Sequence, residues 1–379
     1  MKLLFVHDHR LKKFDGDFYT TGGFSDSVTK RYTDVFDEMT LLCRATENSD
    51  VSGYEKIENK KVSVCPIYEN KLIPKRKLLK ILNQEVDESD KIIVRMPSML
   101  GLYAGRIALK KKKKLLVEVV GSAFGSYWYK SLIGKFVAIP LNLANKYIIK
   151  KADYVLYVSE KYLQKEYPNH KINFGCSDVI LEERASITLD NRIKKIRTNN
   201  NEKKFIMGTL SQIDQRYKGH KNVFEAISIL KKYNIDIEYR LAGSGSTEYL
   251  SMLAKKYNVE DNIVFCGQIK HENVNEWIDD LDIYIQPSLT EGMPRSVIEA
   301  IYRGCPVIVS NAGGMYELIE EKYTFKKGNT NELVKILKSI SKKDLEKMSK
   351  RNFEFASKFD VKTIIKKRKD FLERFRNGE

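Results

Sequence analysis

Short apolar runs alternate with stretches of helical period along nearly the whole chain, and this alternation restricts the possible fold more than any other feature. Such runs read as strands of parallel sheets, and the amphipathic segments between them read as helices that cover those sheets. Strands are predicted in the first half over residues 2–8, 39–43, 91–96, 115–121 and 154–159. In the second half they are predicted over 205–210, 237–242, 263–266, 283–286 and 307–310, each followed by a turn bearing Gly, Ser or Pro and then a helix. The fold class is α/β.

The strand order starts afresh at Phe205. At 379 residues the chain exceeds what one ordinary core supports, so two domains are expected. Between the halves, residues 182–204 are polar, contain Asn199-Asn200-Asn201 and show no sustained period, which marks a linker. The expected division is 1–181, a linker at 182–204, a second domain at 205–358, and a terminal segment at 359–379. In that last segment Val361, Ile364, Ile365, Phe371, Leu372 and Phe375 recur at near-helical spacing, and it is expected to pack back on the first domain. Two Rossmann-like halves imply a central cleft, with the carboxyl ends of two parallel sheets facing across it, where open α/β folds bind ligands.

Composition removes several classes of function. The apolar start Leu3-Leu4-Phe5-Val6 is too short for a secretory segment and reads as a buried strand. The best candidate for a span, 136–149, is broken by Pro140 and edged with lysine, so no bilayer-spanning segment is predicted. Five scattered cysteines, without a Cys-x-x-Cys pair, indicate neither a disulfide framework nor a zinc site, and a cytoplasmic protein is expected. The formal charge of +17 is compatible with nucleic acid, an anionic membrane face or a lysine-rich composition. The run Lys110–Lys114 has no interleaved aromatics and reads as a solvated turn. No nucleic-acid-binding signature is present, so nucleic acid is not expected as a partner.

The most informative stretch is Pro287-Ser288-Leu289-Thr290-Glu291-Gly292-Met293-Pro294-Arg295-Ser296-Val297-Ile298-Glu299-Ala300. A strand ends here, a glycine-bearing turn follows, and Pro294 is suited to the first position of a helix. The free N–H groups and positive dipole end of such a helix suit a diphosphate. Glu299 can then bond a ribose while Glu291 faces sugar hydroxyls further along. By spacing alone, a helix N-terminal acid and a solvated helix glutamate remain equally open.

The whole string resembles the E-x7-E signature of glycosyltransferase family 4. Met207-Gly208-Thr209-Leu210 with Tyr217-Lys218-Gly219 resemble that family's first strand and phosphate-binding lysine, and Arg240-Leu241-Ala242-Gly243 its glycine turn. Val264-Phe265-Cys266-Gly267 resemble the strand before the nucleobase pocket, and Gly304-Cys305-Pro306-Val307 with Gly313-Gly314 the end of the pattern. The resemblance spans roughly 205–320. It implies a GT-B fold and a retaining glycosyltransferase, most similar to those that build bacterial capsular polysaccharides and exopolysaccharides. In that reading Glu291, Lys218 and Arg216 are the catalytic set. The donor lies on Gly22, Gly23, Gly208, Gly243, Gly267, Gln268, Gly292, Met293, Pro294, Ser296, Val297 and Glu299.

Two departures from the family pattern stand out. Thr209 occupies the place where many relatives carry Arg, so Arg216 is assigned the second positive charge. The histidine that relatives place after the strand ending Val119-Val120-Gly121 is missing, and none of His7, His9, His170, His220 and His271 replaces it. A lone histidine such as His7 reads as structural, and no catalytic histidine is assigned.

The donor implied is a UDP- or GDP-sugar, with no cofactor and no metal. Asp280-Leu281-Asp282 has metal-binding spacing but reads as strand entry. The acceptor implied is a glycan or a polyprenol-linked chain. Docking of the basic amphipathic stretch 127–151 on an anionic membrane would account for the charge. The alternatives are a GT-B nucleotide-sugar epimerase and a basic nucleic-acid-binding protein.

Overall fold

The computed structural model describes all residues except 22–23, 49, 69–73, 130–131, 180, 182–186 and 200–203. The chain divides into two compact units. One comprises Met1–Phe124, Phe136–Cys176 and Ile365–Glu379, the other Gly125–Lys135 and Ser177–Ile364.

The first unit holds β1 (Lys2–Phe14), β2 (Asp17–Thr20), β3 (Glu38–Glu47), β4 (Glu55–Lys56), β5 (Val62–Ile67), β6 (Lys91–Met96), β7 (Leu115–Val119), β8 (Tyr154–Tyr157) and β9 (Ile172–Gly175). The parallel strands run in the order β5-β3-β1-β6-β7-β8-β9. β2 pairs antiparallel with the end of β1, and β4 antiparallel with β2. Leu3, Leu4, Phe5 and Val6 are fully buried, as expected of a strand covered on both faces.

The helix Val361–Asn377 ends in this unit. Its Phe371 and Phe375 rings pack edge-on against Tyr154 at 6.2 and 5.1 Å, and Phe371 stacks on Phe174 at 5.7 Å. Arg368, 3% exposed, donates to Glu118 Oε1 at 3.0 Å. The same carboxylate accepts Tyr32 Oη at 2.8 Å and pairs with Arg95 at 3.4 Å. A buried carboxylate needs such partners to remain charged.

The second unit holds β10 (Lys204–Leu210), β11 (Asp236–Ala242), β12 (Ile263–Gly267), β13 (Ile283–Gln286), β14 (Val307–Ser310) and β15 (Thr324–Phe325). All are parallel, in the order β12-β11-β10-β13-β14-β15. The order reverses direction between β10 and β13. The carboxyl ends of these two strands are therefore the switch point of a Rossmann-type sheet, where side chains and loops diverge and leave room for a ligand.

Sequence periodicity and structure part company in the linker region. Ile187–Thr198 is a helix of the second unit, and Val179, Leu181 and Ile196 join that unit's core. Its period is obscured because charged residues occupy its covered face. Arg192, 3% exposed, donates to Ile278 O at 2.9 Å, and Lys195 to the carbonyls of Asp279 and Asp280 at 3.0 and 2.6 Å. These cations satisfy carbonyls at the end of the helix Val274–Asp279, a task an apolar side chain cannot perform. The periodicity also passed over the short or edge strands β2, β4, β5, β9 and β15. Pro140 does not interrupt the helix Leu132–Lys151.

Candidate active site

A cavity of about 510 Å³ opens at the switch point of the second unit. Its walls come from the end of β10 (Leu210), the turn carrying Lys218, the segment after β12 (Gln268, Ile269, His271, Val274) and the stretch from Glu291 to Glu299.

Backbone geometry fixes the turn that carries Lys218. Arg216–Lys218 form one 3-10 turn, and Gly219 follows at φ +78°, a left-handed conformation that favours glycine. A Cβ on Gly219 would lie 2.0 Å from Pro287 O, so only glycine lets this turn approach the end of β13 so closely. Leu289 N donates to Tyr217 O at 2.7 Å and ties the two segments together.

The clamp sets Lys218 against Glu291. Lys218 Nζ donates to Glu291 Oε1 at 2.8 Å, Ser288 Oγ donates to the same oxygen at 2.7 Å, and Gln286 Nε2 at 3.2 Å. Gln286 and Ser288 are buried. Tyr284 Oη donates to Gln286 Oε1 at 2.9 Å, which fixes that amide with its NH2 toward the carboxylate. Burial raises the Tyr284 hydroxyl above the usual tyrosine range, so it remains a proton donor. Behind Glu291, Gly313 lies at φ +62°, with room for a Cβ denied by Glu291 O at 2.0 Å. Gly314 N donates to Gly292 O at 2.9 Å. The carboxylate is thus pinned through its side chain and through its backbone.

Pro294 caps the helix Arg295–Tyr302 rather than beginning it. Ile298 N donates to Pro294 O, so the N–H groups of Arg295, Ser296 and Val297 precede the helix's own bonding ladder. Glu299 is 7% exposed and accepts Arg295 Nε at 2.7 Å. The Arg295 guanidinium also meets His271 Nε2 at 2.6 Å.

Of the residues singled out from sequence, the fold gathers Lys218, Gln268, Glu291, Met293, Pro294, Ser296 and Glu299 around the cavity. Others do not line it. Gly208 lies in mid-strand, where a Cβ would come within 2.7 Å of Leu281 and 2.8 Å of Trp277. Gly243, at φ +142°, lets its loop lie against Ser211 O, and Gly243 N donates to Gly267 O at 2.8 Å. The Val297 side chain belongs to the core, and only its N–H belongs to the first turn of the helix beside the cavity. The Arg216 guanidinium stacks over the Tyr249 ring at 4.6 Å and does not line the cavity. Gly22 and Gly23 lie outside the described residues.

Thr209 is fully buried. Its hydroxyl donates to Ile285 O at 2.5 Å and meets Tyr239 Oη at 2.7 Å, which in turn meets His220 Nδ1 at 3.0 Å. Burial, aided by the Lys218 charge, lowers the His220 pKa to about 3. His7 in the first unit is likewise lowered to about 3 by burial, then by Arg95 and His9. Asp282 accepts Ile206 N at 2.8 Å, lies 3.6 Å from Lys195 and does not line the cavity. Among the described residues no group of His, Cys, Asp or Glu is placed to hold a metal ion.

Residues 190–357 match the profile of the family "Glycosyl transferases group 1". Protein CapJ of Staphylococcus aureus is 35% identical over 357 residues, an alignment spanning 92% of this chain and 87% of CapJ. The chain belongs to the group 1 glycosyltransferases. The amylovoran biosynthesis glycosyltransferase AmsK of Erwinia amylovora is 32% identical over 134 residues, a third of each chain. Sucrose-phosphate synthase from Thermosynechococcus elongatus superimposes with a TM-score of 0.70 at 16% identity, covering 100% of both chains. Anabaena Alr3699/HepE, solved with UDP and glucose, gives 0.66 at 17% identity, covering 97% of this chain and 98% of that one. These likenesses identify the GT-B fold.

Several residues around this glycosyltransferase's cavity were not legible as site residues in the sequence. Leu210, Ile269, His271 and Val274 line it, and Tyr284, Gln286 and Ser288 orient Glu291. The available signal was the polar pair Gln286 and Ser288 at the end of an apolar strand, because buried polar side chains require partners.

Proposed function

We propose that this glycosyltransferase retains anomeric configuration while moving a sugar from a nucleoside-diphosphate sugar to a glycan or polyprenol-linked acceptor. The product is a bacterial capsular polysaccharide or exopolysaccharide. The observation that carries this reading is the Lys218–Glu291 pair, 2.8 Å apart at the switch-point cavity beside the start of the Arg295–Tyr302 helix. Lys218 and the helix's first-turn N–H groups receive the diphosphate, and Glu299 the ribose. The nucleobase lies along Gln268, Ile269 and Val274, and Glu291 bonds the transferred sugar.

Breaking the bond from C1 to the phosphate oxygen builds negative charge on that oxygen, which the Lys218 ammonium offsets. The acceptor oxygen bonds C1 from the same face, and its proton passes to the departing phosphate oxygen. Arg216, close to Lys218 in the chain, adds positive charge to the loop. The names of AmsK and of the putative colanic acid biosynthesis glycosyltransferase WcaL support a polysaccharide product, and the UDP complexes of HepE support a UDP-sugar donor. An acceptor anchored in lipid would place the enzyme at the inner face of the cell membrane.

A panel of UDP- and GDP-sugars tests the reading by thermal stabilisation and donor hydrolysis. One sugar nucleotide is expected to stabilise the protein and to be hydrolysed slowly, releasing sugar of the donor's anomeric form as first product. Absence of binding by every member would remove the assignment. Conversion to an isomeric sugar nucleotide without an acceptor would make the enzyme an epimerase.

A further inference from the structure

The helix Leu132–Lys151 has a covered face and an open one, and the open face is apolar. Ala138, Asn145, Ile148 and Ile149 are buried. On the opposite side Phe136 is 85% exposed, Ile139 55%, Leu143 60% and Tyr147 58%. Residues 136, 143 and 147 stand seven and four apart, so they form one narrow stripe along the helix. A surface helix ordinarily turns polar residues outward, and a contiguous exposed apolar stripe marks an interaction site. Lys146, Lys150 and Lys151 are exposed along the same half, and the helix contains no Asp or Glu.

We propose that this face docks on an anionic lipid bilayer. Phe136, Ile139, Leu143 and Tyr147 enter the boundary between headgroups and acyl chains, and the lysine ammonium groups lie at the level of the lipid phosphates. Charge favours lipid over a second copy of the chain. Self-association through this helix would bring two sets of lysines together with no carboxylate on either helix to offset them, whereas anionic headgroups offset each one. The apolar centre of the stripe likewise suits acyl chains rather than a phosphodiester backbone. The inference deepens the proposed function by naming the surface on which a lipid-linked acceptor would be met. Docking is measured without donor or acceptor, so the two readings fail separately.

The test is flotation of the full chain with vesicles of equal parts phosphatidylglycerol and phosphatidylcholine, against vesicles of phosphatidylcholine alone. Wild-type protein is expected to float with the anionic vesicles and to release them as salt rises. The variants F136S/L143S and K146E/K150E are each expected to lose at least about tenfold in partitioning, with donor hydrolysis unchanged. Failure of the wild type to bind anionic vesicles overturns the proposal, as does wild-type binding by F136S/L143S. A dimer in sedimentation that F136S/L143S dissociates, with vesicle binding intact, assigns the stripe to self-association instead.

Discussion

Lys218 and Glu291, 73 residues apart in sequence, meet at 2.8 Å with side chains 16% and 12% exposed. The contact exists because Gly219 admits Pro287 O to a distance that no other residue tolerates, and because Ser288 and Gln286 turn the carboxylate toward the lysine. E291Q and K218M are each expected to lower kcat/KM by about 100-fold or more, the scale of removing one preorganised charge from a transition state. Because the two side chains share a bond, the double variant is expected to lose less than the product of the single losses. Steady-state kinetics with the preferred donor checks this, and full additivity would dissolve the pair as a functional unit.

Gly219 offers a backbone test of the same clamp. G219A places a methyl against Pro287 O at a positive φ, with an expected destabilisation of more than about 1 kcal/mol. Displacement of the turn moves Lys218 from Glu291. Donor turnover is therefore expected to fall further than stability alone explains, as read by activity well below the melting temperature. Wild-type turnover in a folded G219A protein would show that the clamp is not needed.

Glu118 and Arg368 make a buried ion pair in the first unit, with side chains 1% and 4% exposed. Removing one partner leaves a buried charge with fewer partners, so E118Q and R368M are each expected to cost about 3–5 kcal/mol. The double variant E118L/R368M is expected to regain part of that loss, since an apolar pair needs no counter-charge. Denaturant unfolding of the three variants decides the matter, and unchanged midpoints in the single variants would refute it.

Two histidines held neutral, the buried His220 and the half-buried His7, make stability depend on pH. His7 and His220 have folded pKa values of about 3 against an ordinary value of 6.5. Between those values the unfolded chain binds protons that the folded chain refuses. Stability therefore falls as pH drops from 6.5 toward 3, by up to about 1.4 kcal/mol per pH unit for each histidine. H220N is expected to be less stable near neutrality, having lost the bond to Tyr239, but to show a shallower decline on acidification. Urea midpoints across this range measure the slope, and an identical slope in H220N would exclude His220 as a contributor.

The sequence by itself determined the α/β class, the succession of long buried strands and the string around Glu291 and Glu299. Apolar period and glycine placement are local properties, and β13 and β14 were readable to the residue because each is a run of three apolar residues closed by a polar one. Tertiary structure decided what no local pattern carries. Arg192 and Lys195 lie against carbonyls of another element, so Ile187–Thr198 shows little helical period although it is a helix. Arg216 and Lys218 were both read from sequence as cations for the diphosphate, yet one stacks on Tyr249 and the other reaches Glu291, because a single 3-10 turn points them to different neighbours. Gly208 and Gly219 also look alike, and only packing shows that the first makes room for Trp277 and the second for Pro287 O. Side-chain role here follows from which distant backbone the sheet order brings alongside, and that information resides in the fold.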